Sequence, residues 1–133
     1  MPISGVVGKA WGTTECILST PFVEIHKLHI EPGWRCSRHR HSAKLNAFYV
    51  LSGELFIDVQ KRDYPLTDTT RLTAGMLTEV PSGEIHWFRT GAQPCECLEI
   101  YYPEPLSSDI DRLDHGQRVA EDGSDIVGER AVA

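Results

Sequence analysis

The chain has 133 residues, enough for one domain with a buried core. Hydrophobic residues make up 41% of it and charged residues 24%, as is typical of a globular protein. A formal net charge of -6 at pH 7, with no block of Lys and Arg, argues against nucleic acid or an anionic membrane as a partner.

The sequence also lacks the signals of export. No apolar stretch approaches the ~20 residues that span a membrane, and the N-terminal residues lack the pattern of a signal peptide. The four cysteines are Cys16, Cys36, Cys95 and Cys97, and the last two are too close along one strand to form a disulfide. We therefore predict a cytoplasmic protein with reduced thiols that serve as small packing residues.

The predicted elements of the central region, residues 21–103, are short β-strands. Proline and glycine fall between these strands rather than within them, and no window shows a sustained apolar period of 3.6 residues. A strand at 46–51 is predicted to end at Ser52 and Gly53, and the polar stretch that begins at Lys61 is predicted to be a loop. The pattern predicts an all-β fold, either a sandwich or a barrel. The predicted strands are 21–30, 46–51, 54–60, 76–80, 85–90 and 96–102.

The two flanking regions differ from this barrel region. Residues 1–20 are predicted to form an N-terminal arm or an edge strand. Residues 104–133 form an acidic segment that we predict to be partly disordered, with one helical turn within 107–115 that begins at Ser108. Beyond Gly116 the prediction is either a poorly ordered tail or an arm over the barrel.

The pair His39-x-His41 is the first candidate site. Residues i and i+2 of a strand point to the same face, so the two imidazoles project together and can converge on one ion. Such a pair on an exposed strand is more often solvated than metal-bound. Only the sequence context of the pair favours a metal site over solvated histidines.

That context resembles the first motif of the cupin superfamily, G(X)5HXH(X)3,4E(X)6G. The matching residues are Gly33, His39, His41, Asn46 and Gly53, with Asn46 where the family usually has Glu. The resemblance implies a double-stranded β-helix, a small jelly-roll barrel with a metal in its mouth. It also implies a small-molecule ligand and a homodimer.

The second cupin motif, G(X)5PXG(X)2H(X)3N, is matched as well. Its residues here are Gly75, Pro81, Gly83, His86 and Thr90, with Thr90 in place of the less constrained Asn. The short C-terminal helical or irregular tail would then follow the barrel.

The resemblance assigns the metal ligands residue by residue. His39, His41 and His86 would bind one divalent transition metal, which is iron, zinc, nickel, manganese or copper. Asn46 either donates a neutral amide oxygen or leaves the ion more open. In both cases the centre keeps more positive charge than it would with Glu, and hard cations such as magnesium are disfavoured.

Three further residues are candidates for catalysis. Strand 96–102 has one face with Glu99 and Tyr101 and one with Leu98, Ile100 and Tyr102. Small barrels usually place the apolar set inside, but the reverse orientation would make Glu99 and Tyr101 an acid–base pair near the metal.

Arg35 shares the face of His39 and is either a group at the mouth that binds a carboxylate or phosphate, or a surface arginine. Its place along the strand does not choose between these two positions.

Three functions remain open. A stretch with Asp109, Ile110, Arg112 and Gly116 is similar to the end of the cupin domain in type II mannose-6-phosphate isomerases, which favours a sugar or sugar-phosphate isomerase or epimerase. A three-histidine set without a carboxylate favours a non-haem iron dioxygenase instead. The third hypothesis is a non-enzymatic, metal-supported binding module.

Overall fold

The computed structural model of the protein describes residues 5–42, 45–61, 63–102 and 110–127. These residues form twelve strands and no helix, and so none that is long and apolar enough to cross a membrane. The predicted all-β fold is confirmed. The strands are β1 (Val6–Lys9), β2 (Gly12–Ser19), β3 (Glu24–Ile30), β4 (Trp34–Arg35), β5 (His39–Arg40), β6 (Leu45–Gln60), β7 (Thr67–Thr73), β8 (Leu77–Val80), β9 (Ile85–Arg89), β10 (Cys95–Tyr102), β11 (Asp111–Arg112) and β12 (Gln117–Arg118).

Two antiparallel layers share the long strand β6. Its first half pairs with β10 and β8, and β10 continues through β3 and β2 to β1. Its second half pairs with β7 and β9, and β9 continues to β4 and β5. The apolar inner faces of the two layers pack together, as a jelly-roll barrel requires. Fully buried members of this core include Leu28, Ile30, Phe48, Val50, Leu55, Ile57 and Val80.

Strand β6 does not end at Ser52 and Gly53 as predicted, but runs for 16 residues. The register against β10 shifts here, so that Leu51 is the extra residue of a bulge. Gly53 has φ 82°, and a Cβ at this position would lie 1.9 Å from the carbonyl oxygen of Pro94. The glycine therefore bends the strand from one layer into the other.

The loop prediction at Lys61 missed strand β7. The residues of β7 are exposed except for Leu72, which is buried, and Thr73, which is half-buried. A polar, threonine-rich edge strand has too few buried positions to show a period of two in its sequence. Its pairing with β6 is decided by the partner strand.

The C-terminal segment, residues 110–127, adds two short strands beside the second layer. Strand β11 pairs with β5, and β12 pairs with β4. The predicted helical turn is absent from residues 110–115, while Ser108 lies outside the described residues. Because one isolated turn costs more to nucleate than it gains, the backbone of Asp111 and Arg112 instead pairs with Arg40 and His39 of β5.

Arg35 fixes this segment to the barrel and is only 1% exposed. Its Nε donates to Asp125 Oδ1 at 2.7 Å, and one Nη donates to Asp114 Oδ2 at 3.1 Å. The other Nη donates to the carbonyl oxygens of Cys36 and His115 at 2.9 and 3.0 Å. The predicted positions for Arg35, at the mouth or on the surface, are both corrected: its donors are occupied by the protein's own acceptors.

We expect the Arg35→Met variant to lower the free energy of unfolding by about 3 kcal/mol. The substitution removes the buried one of the two cations that Asp114 and Asp125 share, leaving only the partly exposed Arg38. It also removes the donors to two carbonyl groups. Urea unfolding measures the loss. Limited proteolysis should show faster cleavage within residues 110–127.

The matched control is Arg40→Met, because Arg40 pairs with Asp111 of the same segment while both side chains are about half exposed. Its expected cost is below about 0.5 kcal/mol. The hydrogen bond from Arg35 lowers the pKa of Asp125, so this stabilisation is present above the ordinary carboxyl pKa and is lost as pH falls through the lowered one. Equal losses for the two variants at neutral pH, or a gap that widens in acid, would contradict the assignment.

Candidate metal centre

Three histidines meet on the inner face of the second layer. His39 of β5 lies directly opposite His86 of β9, and His41 follows two residues after His39. One ring nitrogen from each lies within 4.8 Å of the others, and all three side chains are buried. The N–H of Gly83 donates to the carbonyl oxygen of His41 at 2.6 Å, which holds the two motifs together. We call this group the three-histidine centre.

Backbone carbonyls orient two of the rings. Nδ1 of His39 lies 2.7 Å from the oxygen of Ser37, and Nδ1 of His86 lies 3.0 Å from the oxygen of Glu84. A proton on each Nδ1 leaves the Nε2 lone pair available as a metal ligand. Among the described residues, the buried Nε2 of His39 has no hydrogen-bond partner. Burial, and next the charges of His86 and His41, lower the pKa of His39 well below its ordinary value, so this ring is neutral.

Asn46 places an amide oxygen beside the three imidazoles. Its Nδ2 donates to the oxygen of Ile100 at 3.3 Å, which turns Oδ1 toward His86 Nε2 at 3.1 Å. With the His86 proton on Nδ1, two lone-pair atoms face each other here, and a cation bound to both satisfies them. The residues present therefore fit a metal held by three imidazoles, with a neutral amide oxygen beside them.

The orientation of β10 overturns the expectation that its apolar side chains point inward. Glu99 and Tyr101 are 7% and 8% exposed, whereas Leu98, Ile100 and Tyr102 are half-buried on the other face. The reason lies at the start of the strand, where Cys95 and Cys97 share the face of Glu99 and are fully packed in the core. The high tendency of cysteine to be buried is the sequence feature from which this orientation of β10 could have been predicted.

The two inward side chains of β10 interact with each other. Burial, and next the charge and hydrogen bond of Glu99, raise the pKa of Tyr101 well above its ordinary value. Tyr101 is therefore a protonated phenol that donates to the carboxylate. Its ring also packs edge-on against His41, with centroids 5.6 Å apart. The acid–base candidates thus adjoin the three-histidine centre.

A cavity of about 140 Å³ opens beside these groups. Arg112 of β11 lies at its mouth and donates to Ser37 Oγ at 2.8 Å. Sequence reasoning gave no site role to Arg112 or to His26, which also lines the cavity. A larger depression of about 580 Å³ near Arg40 contains none of the three histidines. Lining residues of the smaller cavity include His26, Ser37, His39, Glu99, Tyr101 and Arg112.

The profile of the cupin domain matches residues 26–101, which is more than half of the chain. The chain belongs to the cupin family. Its motif residue Thr90 is buried, where Oγ1 donates to the oxygen of Glu31 at 2.6 Å and accepts the N–H of Trp34. The departure from Asn at this position therefore serves the fold of the cupin barrel.

Solved structures agree with the family. Oxalate decarboxylase from Bacillus subtilis at pH 4.6 has a TM-score of 0.72 at 14% identity, over 81% of this chain and 29% of that chain. The capsular polysaccharide assembling protein CapF from Staphylococcus aureus gives 0.72 at 17% identity, over 82% and 34%. A further structure of the Bacillus enzyme, described by its Mn(II) centres, gives 0.72 at 21%, over 83% and 30%.

These similarities show the cupin fold alone. The chain spans about a third of the length of these solved proteins. No curated protein matches it significantly. The chemistry of this cupin therefore has to be argued from its own cavity.

Proposed function

We propose that this cupin is a metal-dependent isomerase or epimerase of a small hydroxy-carbonyl compound, of the sugar or sugar-phosphate class. The observation that carries the proposal is the buried pair Glu99 and Tyr101 in the wall of the cavity beside the three-histidine centre. A carboxylate next to a candidate Lewis acid is the minimum that proton transfer alpha to a carbonyl needs.

The metal would be held by His39, His41 and His86, with Asn46 beside them. When bound, it supplies polarisation of a substrate carbonyl oxygen. Iron, zinc, nickel and copper all suit three imidazoles, whereas manganese prefers oxygen ligands such as the amide oxygen of Asn46. The Mn(II) centres of the related oxalate decarboxylase make manganese a member of the panel to test.

Glu99 acts as the base in this proposal. Its carboxylate takes the proton from the carbon next to the carbonyl and returns it to the neighbouring carbon or to the opposite face. Tyr101 holds the carboxylate in position through its O–H. Since burial keeps water away, the proton has a defined path between two substrate atoms.

Arg112 is positioned to bind an anionic or polyhydroxy substrate. One N–H is used by Ser37, and the other donors of the guanidinium suit a phosphate or carboxylate at the mouth. A cavity of about 140 Å³ admits only the reacting end of such a molecule, so the remainder would lie toward the opening. The similarity to a capsular polysaccharide assembling protein is compatible with a sugar-like ligand.

The ligand set itself favours a second candidate, a non-haem iron dioxygenase. Three neutral imidazoles and an amide carry no negative charge, so a bound divalent ion would keep its full charge of two. Such a centre attracts an anionic substrate directly. This alternative needs no base at Glu99.

One experiment separates the two candidates. The full chain is loaded in turn with each of the five metals and incubated in D2O with aldoses, ketoses and their phosphates and, separately, with thiols, while an oxygen electrode records consumption. We expect deuterium incorporation next to the carbonyl, without oxygen uptake. Oxygen uptake without deuterium exchange would establish the dioxygenase, and neither signal with any metal would leave a binding module and overturn the proposal.

The proposal keeps two expectations from the sequence, a cytoplasmic location and a homodimer. The hairpin of β1 and β2 offers exposed apolar side chains on which a second copy can pack. Sedimentation of the full chain measures the association. These side chains are Val6, Val7, Ile17 and Leu18.

A further inference from the structure

A second group of metal-ligating side chains lies across β10 from the three-histidine centre. Cys16 of β2 lies directly opposite His26 of β3, and Glu24 precedes His26 by two residues on the same face. One sulfur, one carboxylate oxygen and one ring nitrogen lie within 4.8 Å of one another. We call these three residues the thiol cluster.

The geometry of His26 points to a ligand in this cluster. Its Nε2 lies 3.2 Å from Glu24 Oε2, yet this buried atom forms no hydrogen bond with any of the described residues. The ring N–H axis is therefore not aimed at the carboxylate oxygen. Two ligand atoms of a tetrahedral ion with bonds of 2.0–2.2 Å lie about 3.3–3.5 Å apart, which is close to the separation found here.

We propose that Cys16, Glu24 and His26 form a second metal site, which takes a thiophilic divalent cation of the zinc class. A set of one sulfur, one nitrogen and one oxygen atom leaves a fourth tetrahedral position open to solvent or a ligand. The thiol loses its proton to solvent as the sulfur–metal bond forms, and this ligand disfavours magnesium and calcium. Cys16 is exposed, so an ion has access and the side chain has room to turn toward it.

His26 also lines the cavity beside the three-histidine centre, but the two metal sites share no ligand, and the second does not depend on the proposed isomerase activity. Tyr101 of β10 pairs with Glu24 of β3 on one side and with Asn46 of β6 on the other. Since neighbouring strands lie 4.7–4.9 Å apart, the backbones of Glu24 and Asn46 are about 10 Å apart. The two sites should therefore be removable one at a time.

The test uses Co²⁺ as a spectroscopic substitute for Zn²⁺ with the reduced full chain. We expect the protein to bind two equivalents, one of which produces the near-ultraviolet charge-transfer absorption of a thiolate–cobalt bond. In Cys16→Ser this absorption and one equivalent should disappear while the second equivalent remains. Added Zn²⁺ should abolish the absorption in the unaltered protein.

Two further variants make the result decisive. His86→Ala should lose the other equivalent and keep the thiolate absorption, and His29→Gln, a substitution on β3 outside the thiol cluster, should keep both. Thermal unfolding without metal verifies that Cys16→Ser is folded. A chain without thiolate absorption, or an absorption that persists in Cys16→Ser and so belongs to Cys36, Cys95 or Cys97, would overturn the proposal.

Discussion

The His86→Ala variant should bind Zn²⁺ at the three-histidine centre at least about 100-fold more weakly than its parent, since loss of a ligand exceeds the 10–100-fold cost of losing an outer hydrogen bond. His86 contributes the ring nitrogen that faces Asn46 Oδ1, and its ring packs edge-on against that of His39, with the centroids 4.4 Å apart. Alanine leaves two imidazoles and a neutral amide, too few for a closed site. Calorimetric titration in a Cys16→Ser background measures this centre alone.

His29→Ala is the control for this loss. His29 lies on β3 and is about a third exposed, where it bonds Glu96 and Glu31, away from the three-histidine centre. Its removal should leave the affinity for Zn²⁺ unchanged. If His86→Ala bound Zn²⁺ as tightly as its parent, the three histidines would be packing residues held by backbone carbonyls, and the metal centre would have to be abandoned.

Glu99→Gln carries the largest effect expected on turnover. We expect kcat to fall by about 10²–10⁴-fold, because the amide fits the same space beside Tyr101 but cannot take a proton. Metal content and KM should change little, since Glu99 lies outside the set of metal ligands. Initial rates with the active substrate measure kcat and KM, and solvent deuterium exchange measures proton transfer. Metal analysis of the purified variant measures its metal content.

The chain offers a matched control on the same strand. Glu96 points to the other face of β10, is about a third exposed and pairs with His29. Glu96→Gln should therefore retain its rate. An unchanged kcat in Glu99→Gln would show that Glu99 is not the base. A fall in metal content alone would show that Glu99 helps the three-histidine centre to bind metal and does not act in proton transfer.

The sequence predicted the candidate metal centre because that centre is locally encoded. His39 and His41 share a face through the alternation of a strand, and the turn at Gly83 brings His86 to the position opposite His39. The barrel follows from strands separated by glycine and proline. The exceptions are β7, whose polar residues carry no alternation, and Gly53, which bends β6 where an end was expected.

Alternation along β10 defined two faces but not which of them is inside. That choice depended on Cys95 and Cys97, which fill the core and carry Glu99 and Tyr101 inward with them. Burial of Glu99 and Tyr101 does not destabilise the fold strongly, because the two groups form a hydrogen bond with each other beside the cavity.

By itself, then, the sequence determined the barrel fold and the spacing of the three histidines, since local patterns of residues fix these features. Tertiary structure alone decided that Arg35 anchors Asp114 and Asp125, which follow it by 79 and 90 residues. It also decided that Cys16 lies opposite His26. Contacts between distant segments depend on how strands pair and which face is buried, and no local pattern of residues encodes that choice.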